Sequence, residues 1–294
     1  MAQEVPELFD FVKAGLADRR AQRRGPAMFL LERMAEDLIE RLAPVLRDFE
    51  PTLDFGTPGA AFGKALAAVR TLGDLEATGI GEADGIARRA LVLPDAGLPA
   101  GHYGLVLSGM VLHRINDLPG LLIQLRRALK PDGLMMAAFP GGDTLAELRD
   151  VLMRAESEIR GAAGLRVFPM IDVRAAGQLL QRAGFALPVA DSEKLTVRYP
   201  DLFALLRDLR AMGGTAASLI RPGQPNLTRA ILLRAAELYQ TRYADADGRI
   251  RATFEMIWIS GWAPHASQQQ PLKPGTAKRR LADALREIDP KEQG

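Results

Sequence analysis

Between Tyr103 and Phe139 the chain runs from one apolar stretch, YGLVLS, to another, LMMAAF. Between them lies a helical stretch with apolar residues at 118, 121, 122, 125 and 129, then a sharp stop, Lys130-Pro131-Asp132-Gly133. A strand apolar on successive positions buries both faces. Two such strands separated by a helix imply a mostly parallel sheet covered on both sides. The alternation starts earlier. Pro51–Phe55 reads as a strand, Gly56-Thr57-Pro58-Gly59 as a turn and Ala60–Val69 as a small-residue helix. Arg70–Gly73 reads as a second strand ending at Asp74, and Ala90–Leu93 as a third. The strand–turn–helix–strand–acid order has the size of the first half of a dinucleotide-type βαβ unit.

The flanks are different. Apolar residues from Met28 to Leu46 recur at helical spacing, with Pro44 placed to kink or end that helix. Ahead of it stand Arg19, Arg20, Arg23 and Arg24, which suit a solvated face or a contact for an acidic partner. After Phe139, helices are expected over Thr144–Ile159, Val173–Ala183, Leu202–Met212 and Ala230–Tyr243. Val189–Tyr199 and Ile250–Trp262 read as two late strands, able to pair as an antiparallel hairpin at the sheet edge. From Gln268 onward the chain is polar.

Composition narrows the chemistry. The 38 basic and 36 acidic residues leave a net charge of +2, too balanced to announce a nucleic-acid binder. The absence of cysteine removes disulfides, thiolate metal sites and cysteine nucleophiles. No apolar run reaches the ~18 residues of a membrane-spanning helix. The N-terminus lacks a signal-peptide pattern, so a cytoplasmic location is expected.

In this context, the stretch YGLVLSGMVLHRINDLPGLLIQLRRALKPDGLMMAAF resembles the class I S-adenosylmethionine (SAM) methyltransferases. There a comparable turn follows strand four, and a Lys-Pro-Gly-type stop precedes strand five. The run DGRIRATFEMIWISGWAPHASQQQP is similar to a narrower branch, that of the methyltransferase-like respiratory complex I assembly factor, an arginine hydroxylase, and its bacterial relatives. Malonyl-carrier-protein methyltransferases share the same fold. The resemblance implies a Rossmann-like α/β fold with a mostly parallel seven-stranded sheet, an antiparallel C-terminal edge hairpin and helical insertions. The expected divisions are a helical extension over 1–48, the methyltransferase-like domain over 49–264 and a polar tail over 265–294.

The same resemblance implies where SAM would sit. Asp54 would open the first glycine turn, and Gly56 and Gly59 would let the backbone approach the methionine part. Asp74, with Glu76 as a rival, would take the ribose hydroxyls. Asp95 would meet the adenine amino group, with a backbone contact from Ala96. Ser108, Gly109 and Met110 would lie near the methyl group. His113, in LHRIND, is the candidate base or substrate-orienting group, equally suited to packing on the sheet. The turn departs from D-x-G-x-G-x-G, because Pro58 and Ala60 stand where glycines are expected. Proline removes a donor and fixes φ, which weakens the expected hold on SAM.

Transfer to a nitrogen or oxygen acceptor needs alignment more than a triad. The branch also implies two other activities: hydroxylation of an arginine in a complex I subunit, and catalytically silent assembly work. A hydroxylase iron site of two histidines and a carboxylate is not legible, and no metal is expected. The expected partner is a protein substrate, with peripheral membrane association through that partner.

Overall fold

The computed structural model describes residues 7–79, 87–89, 97–215 and 223–268. The chain divides into two compact units, residues 1–264 and 265–294. The elements below belong to the first.

The sheet has seven strands in the order β3-β2-β1-β4-β5-β7-β6. These are β1 (Thr52–Phe55), β2 (Leu75–Thr78), β3 (Ala87–Arg89), β4 (Tyr103–Gly109), β5 (Leu129–Pro140), β6 (Ala186–Tyr199) and β7 (Ile250–Trp262). The first five run parallel, and β7 lies antiparallel to both β5 and β6. Strand order reverses between β1 and β4. In open α/β sheets, ligands bind beyond the carboxyl ends of the strands at such a point.

Successive residues of the central strands point to opposite faces, as the pleat requires. Leu105, Leu107, Leu134, Met136 and Ala138 enter one core, which includes Met34, Leu38 and Phe62. Val106, Met135, Ala137 and Phe139 enter the other, against Leu121, Leu122, Leu125 and Leu180. The helices are α1 (Phe11–Arg24), α2 (Phe29–Leu42), α3 (Ala61–Val69), α4 (Leu118–Ala128), α5 (Ala146–Arg160), α6 (Val173–Ala183), α7 (Leu202–Ala211) and α8 (Arg229–Tyr243). The helices before residue 48 lie within the same compact unit as the sheet, and Leu30, Leu31, Met34, Leu38 and Leu42 of α2 are part of its core. Helix α2 stops before Pro44, which leaves Leu46 93 % exposed instead of on the apolar face.

One strand is displaced from its expected place. The segment Arg70–Gly73 is not the second strand; β2 begins at Leu75, where Leu75–Thr78 registers on Thr52–Phe55. The third apolar run, Ala90–Leu93, lies outside the described residues.

Candidate active site

Strand β1 ends in the turn Gly56–Ala60, whose conformation decides the local surface. Gly56 has φ +73°, and a Cβ there would press on Val111 at 3.0 Å. Gly59 has φ +64° with nothing within 4 Å of a Cβ position, so its backbone faces open space. Pro58 starts a short 3₁₀ turn, a position where a missing N–H costs little. Ala60 takes the left-handed conformation, φ 54° and ψ 41°, that a glycine would adopt more freely. Both departures from the glycine pattern are thus accommodated in the turn.

Ala60 precedes α3 and makes no side-chain cap. Buried Asp54 supplies a cap instead, its Oδ2 accepting from Gly63 N at 2.7 Å. This satisfies one of the donors left open at a helix N-terminus.

Beyond these strand ends lies a cavity of about 340 Å³. Gly56, Gly59 and Gly79 line it from the ends of β1 and β2, and Met110, Val111 and Pro140 from β4 and β5. Leu145 and Phe254 close the side. Met110 and Leu145, with φ of 60° and 57°, are two of the five non-glycine residues with positive φ among the described residues. Backbone held in this sparsely populated region gathers at ligand sites.

The roof is α1. Ala14, Gly15, Asp18 and Ala21 face the cavity. The roof is fastened to the turn after β4. Asn116 Oδ1 accepts from Leu8 N and Phe9 N, both at 2.9 Å, and its Nδ2 donates to Phe9 O at 2.9 Å. Arg114 makes a two-pronged pair with Asp18, at 3.0 and 3.2 Å. Phe9 meets Phe168 edge-on, with centroids 5.5 Å apart.

His113, next to Arg114, also lines the cavity. Its ring meets Phe168 at 6.1 Å, edge-on. Its Nδ1 is buried and has no hydrogen-bond partner among the described residues. Burial, helped by the neighbouring Arg114 charge, holds its pKa well below the ordinary 6.5. The imidazole is therefore neutral near pH 7, with Nδ1 open to a hydrogen bond.

Several expected contacts lie elsewhere. Asp74 precedes β2 and its carbonyl accepts from Thr52 N, which places it at the amino end of the sheet. Glu76 also turns away from the cavity, accepting from Tyr103 Oη at 2.8 Å. Neither residue can reach the ligand end, because the strand starts later than its local pattern suggested. Ser108 donates to Phe55 O at 2.9 Å and is fully buried between strands. Gly109 N donates to Thr57 Oγ1 at 2.8 Å, and a Cβ on Gly109 would strike the Phe62 ring at 2.8 Å. These two hold β4 against the glycine turn and do not line the cavity. Asp95 and Ala96 lie outside the described residues. His102 does not line the cavity, and His265 belongs to the second compact unit. Among the described residues, no three His, Asp or Glu side chains gather in a metal-binding group, and no helix is long and apolar enough to cross a membrane.

The α1 roof had only an indirect sequence signal. Ala14, Gly15 and Ala21 are small residues at helical spacing, and LHRIND carries the groups that bind them down.

Comparison with known proteins agrees with this architecture. The profile of the methyltransferase domain family matches residues 23–188. A Rattus norvegicus protein named arginine-hydroxylase NDUFAF5, mitochondrial, is 34 % identical over 275 residues, covering 90 % of this chain and 79 % of the relative. For another protein of that name, the match spans only 41 % of the relative's length. A malonyl-[acyl-carrier protein] O-methyltransferase of Halorhodospira halophila is 30 % identical, covering 86 % of this chain and 88 % of the relative. A crystal structure of a Bacillus halodurans protein described as a methyltransferase superposes with a TM-score of 0.54 at 15 % identity, covering 79 % of this chain and 99 % of that one. At that identity the likeness speaks for the fold.

Proposed function

Because the chain belongs to the methyltransferase domain family, we propose that its cavity binds SAM and that the protein transfers a methyl group to a nitrogen or oxygen acceptor in work connected with respiratory complex I assembly. The observation that carries this reading is the Gly56–Gly59 turn, which opens its backbone onto a roofed cavity at the β1/β4 switch point. The residues present suit the cofactor. Gly59 leaves room for close approach, and the buried Nδ1 of His113 has an open hydrogen-bonding position.

When bound, SAM supplies an electrophilic methyl group. The chain's own part is positioning. Met110, Val111 and Leu145 shape an apolar wall, and α1 keeps water away from the reacting groups. Orientation of this kind is worth about 7–11 kcal/mol of a barrier. Neutral His113, its Nδ1 without a partner among the described residues, is placed to hydrogen-bond and orient the acceptor.

The name of the rat relative supports a second reading, hydroxylation of an arginine, whose bearer we propose to be a complex I subunit. A silent assembly role is the third.

Calorimetric titration with SAM tests the site. The reading expects micromolar binding, lost in Gly59→Val and retained in Asp74→Ala, which lies at the far end of the sheet. No binding by the folded protein would overturn it and favour assembly work alone. With a candidate acceptor, mass spectrometry separates methylation from hydroxylation by the mass of one methylene against one oxygen.

A further inference from the structure

Helix α1 has two faces with different tasks. Ala14, Gly15, Asp18 and Ala21 turn inward onto the cavity. Opposite them run Val12, Leu16, Arg19 and Arg23, at i, i+4, i+7 and i+11, one stripe along the helix. Val12 is 75 % exposed and Leu16 43 % exposed, continuing from Leu8 at 46 %. Arg19, Arg20, Arg23 and Arg24 are all exposed. No ion pair joins these four to a carboxylate among the described residues; the nearby Asp18 is engaged by Arg114 instead. Arg23 and Arg24 sit in the last turn, where cations suit the helix dipole. That explanation does not reach Arg19 and Arg20, one turn earlier.

We propose that this outward face of α1 docks a helical segment of a partner protein, one carrying apolar side chains followed by carboxylates. The spacing is that of a seam into which a second helix packs. Charge complementarity sets the occupant, since the planar forks of arginine match carboxylates in paired hydrogen bonds. The distribution favours a protein over a bilayer. A helix lying in a membrane surface separates apolar from basic residues around its circumference, along its whole length. In the outward stripe of α1 they separate along the axis, Val12 and Leu16 first and Arg19 and Arg23 after, while Lys13 on the neighbouring face is paired with Asp10. A partner helix with the same end-to-end order matches this. The docking face lies on the roof of the cavity, so an occupant bears directly on α1 and its Asn116 and Arg114 fasteners. The proposal stands whichever reaction the cavity serves.

The test is selection of a displayed peptide library on the full chain, with selected peptides measured by fluorescence anisotropy. The expected result is enrichment of peptides with an aliphatic i, i+4 pair followed by acids. Their affinity should fall about ten-fold or more with Arg19→Glu/Arg23→Glu, and fall also with Val12→Ser/Leu16→Ser. Near-ultraviolet circular dichroism checks that each variant is folded, and Arg19→Gln/Arg23→Gln replaces the charge reversal if it is not. No enrichment, or binders indifferent to both pairs of substitutions, overturns the proposal. Sedimentation with phosphatidylglycerol-containing vesicles through the same arginines, without peptide enrichment, overturns it in favour of a membrane surface.

Discussion

Asn116 grips the backbone of Phe9 from both sides, its Oδ1 accepting from Phe9 N and its Nδ2 donating to Phe9 O, each at 2.9 Å. The two residues are 107 positions apart, and the contact joins the turn after β4 to the start of the roof helix. Asn116→Ala leaves these backbone groups without their partner, at about 1–3 kcal/mol where they are shielded from water. Faster amide exchange across residues 9–24, and earlier tryptic cleavage at Arg19–Arg24, are expected while the sheet core keeps its protection. Uniform exchange change across the chain would contradict a local fastener.

His113 makes a pH prediction. Its pKa is held below 6.5 in the folded protein, so the unfolded chain binds the proton more readily. Stability should therefore be full above about pH 6.5 and decline as pH falls below it. His113→Leu removes that decline without removing packing against Phe168. Melting temperatures from pH 5 to 8 measure the effect, and parallel curves for both proteins would refute it.

The glycine turn carries two opposing expectations. Asp54→Ala removes the carboxylate that caps α3 at Gly63 and should destabilise by about 1–3 kcal/mol. Ala60→Gly relieves a left-handed alanine and should stabilise by up to about 1 kcal/mol, part of the relief being offset by chain entropy. Urea unfolding with an unchanged slope reads both.

Away from the cavity, buried Glu156 accepts from Arg166 Nε at 2.9 Å, from Arg160 at 2.9 Å and from Gly164 N at 3.1 Å. Its hydrogen bonds, those from Arg166 foremost, lower its pKa from 4.5 to about 2. The resulting stability is present above about pH 4.5 and is lost as pH falls towards 2. Arg166→Met removes the foremost of these partners, leaves Arg160 and Gly164 N in place, and should cost about 1–3 kcal/mol near neutral pH. Chemical denaturation at pH 7 and pH 3 checks this, the cost shrinking at the lower value.

Local pattern determined much of the chain. Val173–Ala183 is a helix because apolar period, Asp172 at the N-cap and Gly184 at the end all agree, and the β-rich run Ile250–Trp262 is a strand. The consecutive apolar residues of β4 and β5 required a doubly covered parallel sheet, and that is what they form. Tertiary structure decided what local pattern could not. Leu75–Thr78 became β2 because pairing on Thr52–Phe55 outweighed weak local preference, and that shift carried Asp74 to the amino end. Ser108 and Gly109 hold strand to turn because their neighbours, Phe55, Thr57 and Phe62, fill the space beside them. The roof over the cavity also depended on distant partners. Spacing within α1 fixes which residues share a face, whereas only long-range contacts to Asn116 and Arg114 fix which face meets the sheet.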